Sequence, residues 1–205
     1  MKFIKKVNIG LILAIIAIVA VIVYSVNLEF ERKSAKEDIR KACEEFIDLT
    51  DKYYTLPSEY QVIGEKSADV DLTNFFTKME DELKTKTTSA ETAKIQKTIL
   101  TEYVKNQLVD TSKITVSFNR EITKISSYGF DGNQVTITFS SKITTKQKYN
   151  DINLETGEPS EKIRENTFEV EDESITLEEK DGTWKIVYAN LQYQDVNSSM
   201  YYGIM

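Results

Sequence analysis

Ile114-Thr115-Val116-Ser117-Phe118 and, beyond Asp131-Gly132-Asn133, Val135-Thr136-Ile137-Thr138-Phe139 alternate apolar and polar side chains. A period of two sets alternate side chains on opposite faces of a β-strand. Asp131-Gly132-Asn133 supplies residues that tolerate positive φ where the chain must reverse, so the two stretches predict an antiparallel hairpin that continues through Ile143. Phe168, Val170, Ile175 and Leu177 predict a third strand. Its apolar parity switches across Glu171-Asp172-Glu173, and a bulge there restores the face. The stretch from Asn150 to Ser160, with Thr156-Gly157 and Pro159, reads as a longer connection. Asp181-Gly182 turns into a last strand, Thr183 to Tyr193, which is apolar on both parities and is expected to be covered on both sides.

Upstream of Asp110 the period is about 3.6 instead. Ile39, Ala42, Cys43, Phe46, Leu49, Tyr53 and Leu56 recur at helical spacing until Pro57 stops them. A second helix carries Val70, Leu72, Phe75, Phe76, Met79 and Leu83, with Ser67 or Asp69 as its N-cap. After the loop Thr85–Thr87, Thr88-Ser89-Ala90-Glu91 has the spacing of a capping box, and the helix it opens shows the face Ala93, Ile95, Ile99, Tyr103, Val104 and Leu108.

Before these helices lie 22 residues without a charge, Val7 to Leu28. As a helix they extend about 33 Å, against a hydrocarbon core of roughly 30 Å. Leu11, Ile15, Val19 and Val23 mark the anchor. Lys2, Lys5 and Lys6 precede it and every acidic residue follows it, which places the N-terminus in the cytoplasm. A cleaved signal peptide is the competing reading, with Val23-Tyr24-Ser25 as its cleavage site. The length of the apolar stretch, with the run Leu11 to Val23 free of Gly and Pro ahead of that site, favours an uncleaved anchor. The chain then divides into a cytoplasmic tail (1–6), the anchor (7–28), a stalk helix and linker (29–66), an α+β domain (67–197) and an apolar tail (198–205).

Of the 205 residues none is His and one, Cys43, is Cys. Ser-His-Asp and Cys-His catalysis, His-ligated metals and internal disulfides are thereby excluded for this chain. Cys43 is expected to be a small core residue. The residues after the anchor carry a net charge of −10, a poor match to nucleic-acid phosphates. Asp151-Ile152-Asn153-Leu154-Glu155-Thr156-Gly157 has its Gly one place late for a calcium loop, and Lys162 stands where a bidentate Glu is needed. Glu171-Asp172-Glu173 and Glu178-Glu179 read as solvated surface, not as paired catalytic carboxylates. The seven glycines are scattered and form no phosphate loop. No cofactor and no metal is expected.

The eleven tyrosines include Tyr188 and Tyr193 on the last strand, with Tyr201 and Tyr202 in the tail Met200-Tyr201-Tyr202-Gly203-Ile204-Met205. A Tyr ring buries while its hydroxyl stays wet, so these four are the candidate interaction residues. An apolar end is expected to be tied down, on its own domain or on a partner.

Three helices followed by four antiparallel strands, closed by Asp181-Gly182-Thr183-Trp184-Lys185-Ile186, resemble the nuclear transport factor 2-like (cystatin-like) α+β fold. The similarity is to membrane-anchored extracytoplasmic members such as scaffold subunits of conjugation and type IV secretion machines. The resemblance implies about three helices packed on a curved four-stranded antiparallel sheet. Enzymes of this fold place a Tyr and carboxylic acids inside the cone; no Asp or Glu here is expected on an inward face, so catalysis is not carried over. The expected function is a single-pass, non-enzymatic envelope scaffold that meets the bilayer and a protein partner or second copy. A small-ligand module using the cone interior is the alternative, and an extracytoplasmic enzyme the third reading.

Overall fold

The alternating stretches form β1 (Lys113–Asp131) and β2 (Gln134–Ile152), joined by a tight turn in which Gly132 adopts φ +58°. The structure, a computed structural model, describes residues 9–63, 70–110, 112–152 and 159–192. β3 (Pro159–Lys180) and β4 (Thr183–Asn190) complete a four-stranded antiparallel meander in the order β1-β2-β3-β4. The chain is thus α+β.

The bulge expected at Glu171–Glu173 is present. β2 pairs Phe139 with Glu173 and then Ser141 with Val170, while Asp172 takes φ 60°. A second irregularity accounts for the mixed parity of β4. Thr176 faces Tyr188 but Leu177 faces Ile186, so Val187 is skipped. Ile186 and Ala189 are therefore both buried although three residues apart. The expected cover on both sides of β4 is not found, since Tyr188 stays half exposed. β4 spans only Ser174 to Lys180 of β3, so from Pro159 to Glu173 the outer side of β3 has no partner strand among the described residues.

The helices are α1 (Ile9–Tyr54), α2 (Thr73–Lys86) and α3 (Ala90–Val109), with a single 3₁₀ turn at Ser58–Tyr60. Ser67 and Asp69 lie outside the described residues. It is Asp71 that meets the start of α2, accepting the Thr73 amide at 2.9 Å. At α3 the cap is Ser89 rather than Thr88: its hydroxyl accepts the Thr92 amide at 3.1 Å. Thr88 instead donates its amide to the Ile186 carbonyl at 2.9 Å, tying the α2–α3 corner to β4.

The chain divides into two compact units, Met1–Arg40 and Lys41–Met205. The unit that holds the sheet therefore begins upstream of the boundary drawn at residue 67 from the sequence. Cys43, Phe46, Ile47 and Tyr53 of α1 are fully buried core residues of this unit, with Met79, Leu83, Leu100, Ile137, Phe139 and Ile175. A second cluster joins Leu56, Leu72, Val104 and Ile114. Lys52–Glu82 (2.7 Å) and Lys86–Glu45 (2.6 Å) bridge α1 to α2. Burial pushes the Cys43 thiol up to about 12, in keeping with a core residue.

In the first unit every large apolar side chain from Leu13 to Val26 is at least half exposed. The expected anchor begins at Val7, outside the described residues, and the side chains of Leu11, Asn27 and Leu28 are likewise not described. Among the described residues no helix is long and apolar enough to cross a membrane.

Candidate functional site

α3 buries Ala93, Gln96, Leu100 and Val104, spaced three and four apart. This face is offset from the one expected. Ile95, Ile99 and Tyr103 form the neighbouring stripe, and Ile95 is 53 % exposed. Opposite them β4 presents Tyr188, 50 % exposed, followed by Ala189 and Leu191. Between α3 and the end of β4 lies a groove of about 350 Å³. Its floor is apolar, while Gln96, Glu102, Asn106 and Asn190 bring polar groups to it. That size and mixture suit a small ligand or a few inserted side chains.

Tyr103 leads from the groove into the core. Its ring lies 5.0 Å from that of Tyr54, which in turn sits 4.1 Å from Phe118 on β1. Two residues along β1, on the same face, is Arg120, and here the interior becomes charged. The Arg120 amide donates to Asp51 Oδ2 at 2.5 Å, and the Arg120 guanidinium stands 3.4 Å from Glu173 Oε1, both side chains fully buried. Ser141 donates to the other Glu173 oxygen. Gln192 closes the cluster, its amide donating to Glu173 Oε1 at 2.8 Å and its carbonyl accepting from Arg120 Nη2 at 2.8 Å. One helix and three strands meet in these contacts.

Asp51 meets the Arg120 amide while Glu173 meets its guanidinium, so two buried carboxylates lie beside a single cation, and burial disfavours the excess negative charge. Asp51 is shifted towards its neutral form. Burial raises its carboxyl to about 7 against the opposing pull of Arg120, and Asp48 and Glu173 push it further the same way. Asp51 Oδ1 has no hydrogen-bond partner among the described residues.

The expectation that no Asp or Glu faces inward is overturned by Asp51 and Glu173, as is the reading of the whole Glu171–Glu173 run as solvated surface. Glu171 and Asp172 are exposed, and the bulge they form between Val170 and Glu173 turns Glu173 inward, in register with Ile175. Its parity, shared with Ile175 and Leu177, was the available signal; for Asp51 it was the helical spacing from Ile47 to Tyr54. Neither carboxylate lines the groove.

Of the candidate interaction residues, Tyr188 lines the groove, while Tyr193, Tyr201 and Tyr202 lie outside the described residues. Ile15, Val19 and Val23 are exposed along one face of α1, four residues apart. Asp151, first residue of the imperfect calcium loop, is paired with Lys162, which lowers its carboxyl below the ordinary range. Among the described residues no group of three or more acidic or Cys side chains is placed to hold a metal.

No family model and no curated protein matches the chain. Among solved structures it is similar to the crystal structure of the intermembrane space region of chloroplast protein ARC6, with 11 % identity over 62 % of this chain and 95 % of that one, at a TM-score of 0.25. A likeness of that size assigns neither fold nor function.

Proposed function

We propose that the chain is a single-pass, membrane-anchored scaffold of the cell envelope, with residues 1–6 in the cytoplasm and the α+β unit outside. On this reading it is not an enzyme and works by binding a protein partner or a second copy of itself. The observation that carries the reading is the run of exposed apolar side chains on α1 from Leu13 to Val26, within the 22 residues from Val7 to Leu28 that hold no charge. A monomeric soluble protein rarely leaves so much contiguous apolar surface in water. The three lysines ahead of the run set its direction. The resemblance of element order to the nuclear transport factor 2-like fold adds conjugation and secretion machines as the kind of assembly served.

Protease added to intact cells, with any outer envelope permeabilised, then digests the residues after Leu28. Complete protection of the α+β unit refutes the topology. The groove favours a second reading, a small-ligand module, because it combines an apolar floor with a few polar groups. A bound apolar molecule at 100 times its dissociation constant stabilises the protein by roughly 2.7 kcal/mol, which a thermal shift detects.

A further inference from the structure

α3 and β4 are stitched together near the start of the helix, where the Thr88 amide donates to the Ile186 carbonyl at 2.9 Å and the Thr92 hydroxyl to the Val187 carbonyl at 3.5 Å. Beyond that tie the groove opens, lined on the helix from Ile95 to Asn106 and on the strand from Tyr188 to Leu191. Ile95, Ile99, Glu102 and Asn106 follow one another at spacings of four, three and four, so they form one stripe of α3. The stripe is graded. It begins with two apolar side chains and turns anionic one helical turn after Ile99.

Two polar side chains of this groove lack partners among the described residues. Gln96 is only 4 % exposed and lines the groove, yet its amide makes no hydrogen bond. A buried amide left unpaired is costly, and a ligand group that pairs it removes that cost. Glu102 is exposed at the groove and makes neither a hydrogen bond nor an ion pair. It is the one charged side chain in the lining. The neighbouring cations are engaged elsewhere, Lys97 with Glu80 at 2.6 Å and Lys185 with the Thr85 carbonyl. Tyr103 and Tyr188 add aromatic rings, which attract a cation further. Gln96 and Glu102 are separated by about 9 Å of helix rise. The volume of about 350 Å³ lies near the lower end of the range for small-molecule sites, roughly 300–1,000 Å³.

We propose that the groove between α3 and β4 binds a small organic ammonium ion, its cation at Glu102, its apolar body on Ile95, Ile99 and Leu191, and a neutral hydrogen-bonding group at Gln96. The proposal rests on the small-ligand reading of the groove, to which it adds the charge and the length of the ligand. It is independent of the membrane anchor.

The test titrates the full chain calorimetrically at pH 7 with four probes of nearly one size. Tyramine has an ammonium and a phenol at opposite ends; tyrosol replaces the ammonium by a hydroxyl, 4-hydroxyphenylacetate by a carboxylate, and phenethylamine lacks the phenol hydroxyl. Tyramine is expected to bind about fivefold or more tighter than tyrosol, as a carboxylate and an aromatic ring at a partly exposed site provide, with 4-hydroxyphenylacetate the weakest. Glu102→Gln, at an exposed position, brings tyramine to within about twofold of tyrosol and leaves tyrosol itself unchanged. Gln96→Leu brings tyramine down to phenethylamine, and should that variant not fold the Glu102 comparison decides alone. Equal affinity for tyramine and tyrosol, or a preference that survives Glu102→Gln, overturns the proposal and leaves the small-ligand reading standing. If none of the four binds, the proposal fails; an apolar dye that still binds and is lost on Ile95→Glu then keeps the small-ligand reading, and a dye that does not bind ends both. A lysine-containing peptide that binds where no free amine does gives the groove to a protein partner and likewise overturns the proposal.

Discussion

Asp51→Asn removes the titrating member of the buried cluster while keeping a side-chain oxygen to accept the Arg120 amide. The Asp51 carboxyl moves from an ordinary 3.8 to about 7 in the folded protein. Between those values the folded state holds a proton that the unfolded chain releases. The contribution of Asp51 is therefore most favourable below about pH 4 and is lost as pH rises towards 7. Three pKa units at 1.36 kcal/mol each amount to about 4 kcal/mol. The Asn variant has no such loss. Relative to the native protein it should gain about 4 kcal/mol between pH 4 and pH 8, with every other titration common to both proteins and cancelling. Urea unfolding at pH 4, 6 and 8 measures the difference directly, and in thermal melts it corresponds to roughly 2–4 °C for each kcal/mol in a unit of this size. A native-to-variant difference that does not change with pH, or that grows in favour of Asp51 as pH rises, refutes the reasoning.

Arg120→Met leaves Glu173 buried without its cation and is expected to cost about 3–5 kcal/mol by urea unfolding at pH 8, with part of the loss recovered in a Glu173→Gln background. Ser89→Ala should lower stability by about 1 kcal/mol, whereas Thr88→Ala leaves the α3 cap intact; paired thermal melts separate them. The Cys43 thiol should resist a maleimide or disulfide reagent until the chain is unfolded in denaturant, and rapid native-state labelling would contradict its burial.

Much of the fold was legible because it obeys one periodicity at a time. Ile114 to Phe118 and Val135 to Phe139 alternate cleanly, and they became β1 and β2 around Gly132. Even the bulge at Asp172 could be read, since the switch from Val170 to Ile175 needs an extra residue. The phase of α3 was read less well. Ile95 and Ile99 outrank Gln96 in hydrophobicity, yet Gln96 is the buried one, so apolarity alone pointed to the wrong stripe and hid the groove. β4 misled for a related reason: skipping Val187 mixes the two parities, and a bulge looks in sequence like burial on both faces. The charged cluster was missed because a carboxylate was taken to prefer water. That preference holds for a lone side chain and fails once residues distant in sequence supply partners, Arg120 for Asp51 and Gln192 for Glu173.

The uncovered outer side of β3 bears on how copies of this chain behave at high concentration. A bare strand edge invites another molecule to zip onto it. When two copies of one strand pair antiparallel about a twofold axis, only positions of equal parity can stand opposite each other, because the axis preserves the faces of the sheet. From Pro159 to Val170, ahead of the bulge, Glu161, Glu165 and Glu169 are all odd-numbered, and Lys162 and Arg164 are both even. Within that stretch no symmetric register can then match an acid with a base across the seam. Lys146 and Lys148 of β2 already engage Glu165 and Glu161, which leaves those cations committed within their own sheet. The numbering of these five charges thus acts as a guard against runaway stacking, one that weakens in strong salt, where the repulsion between like charges is screened.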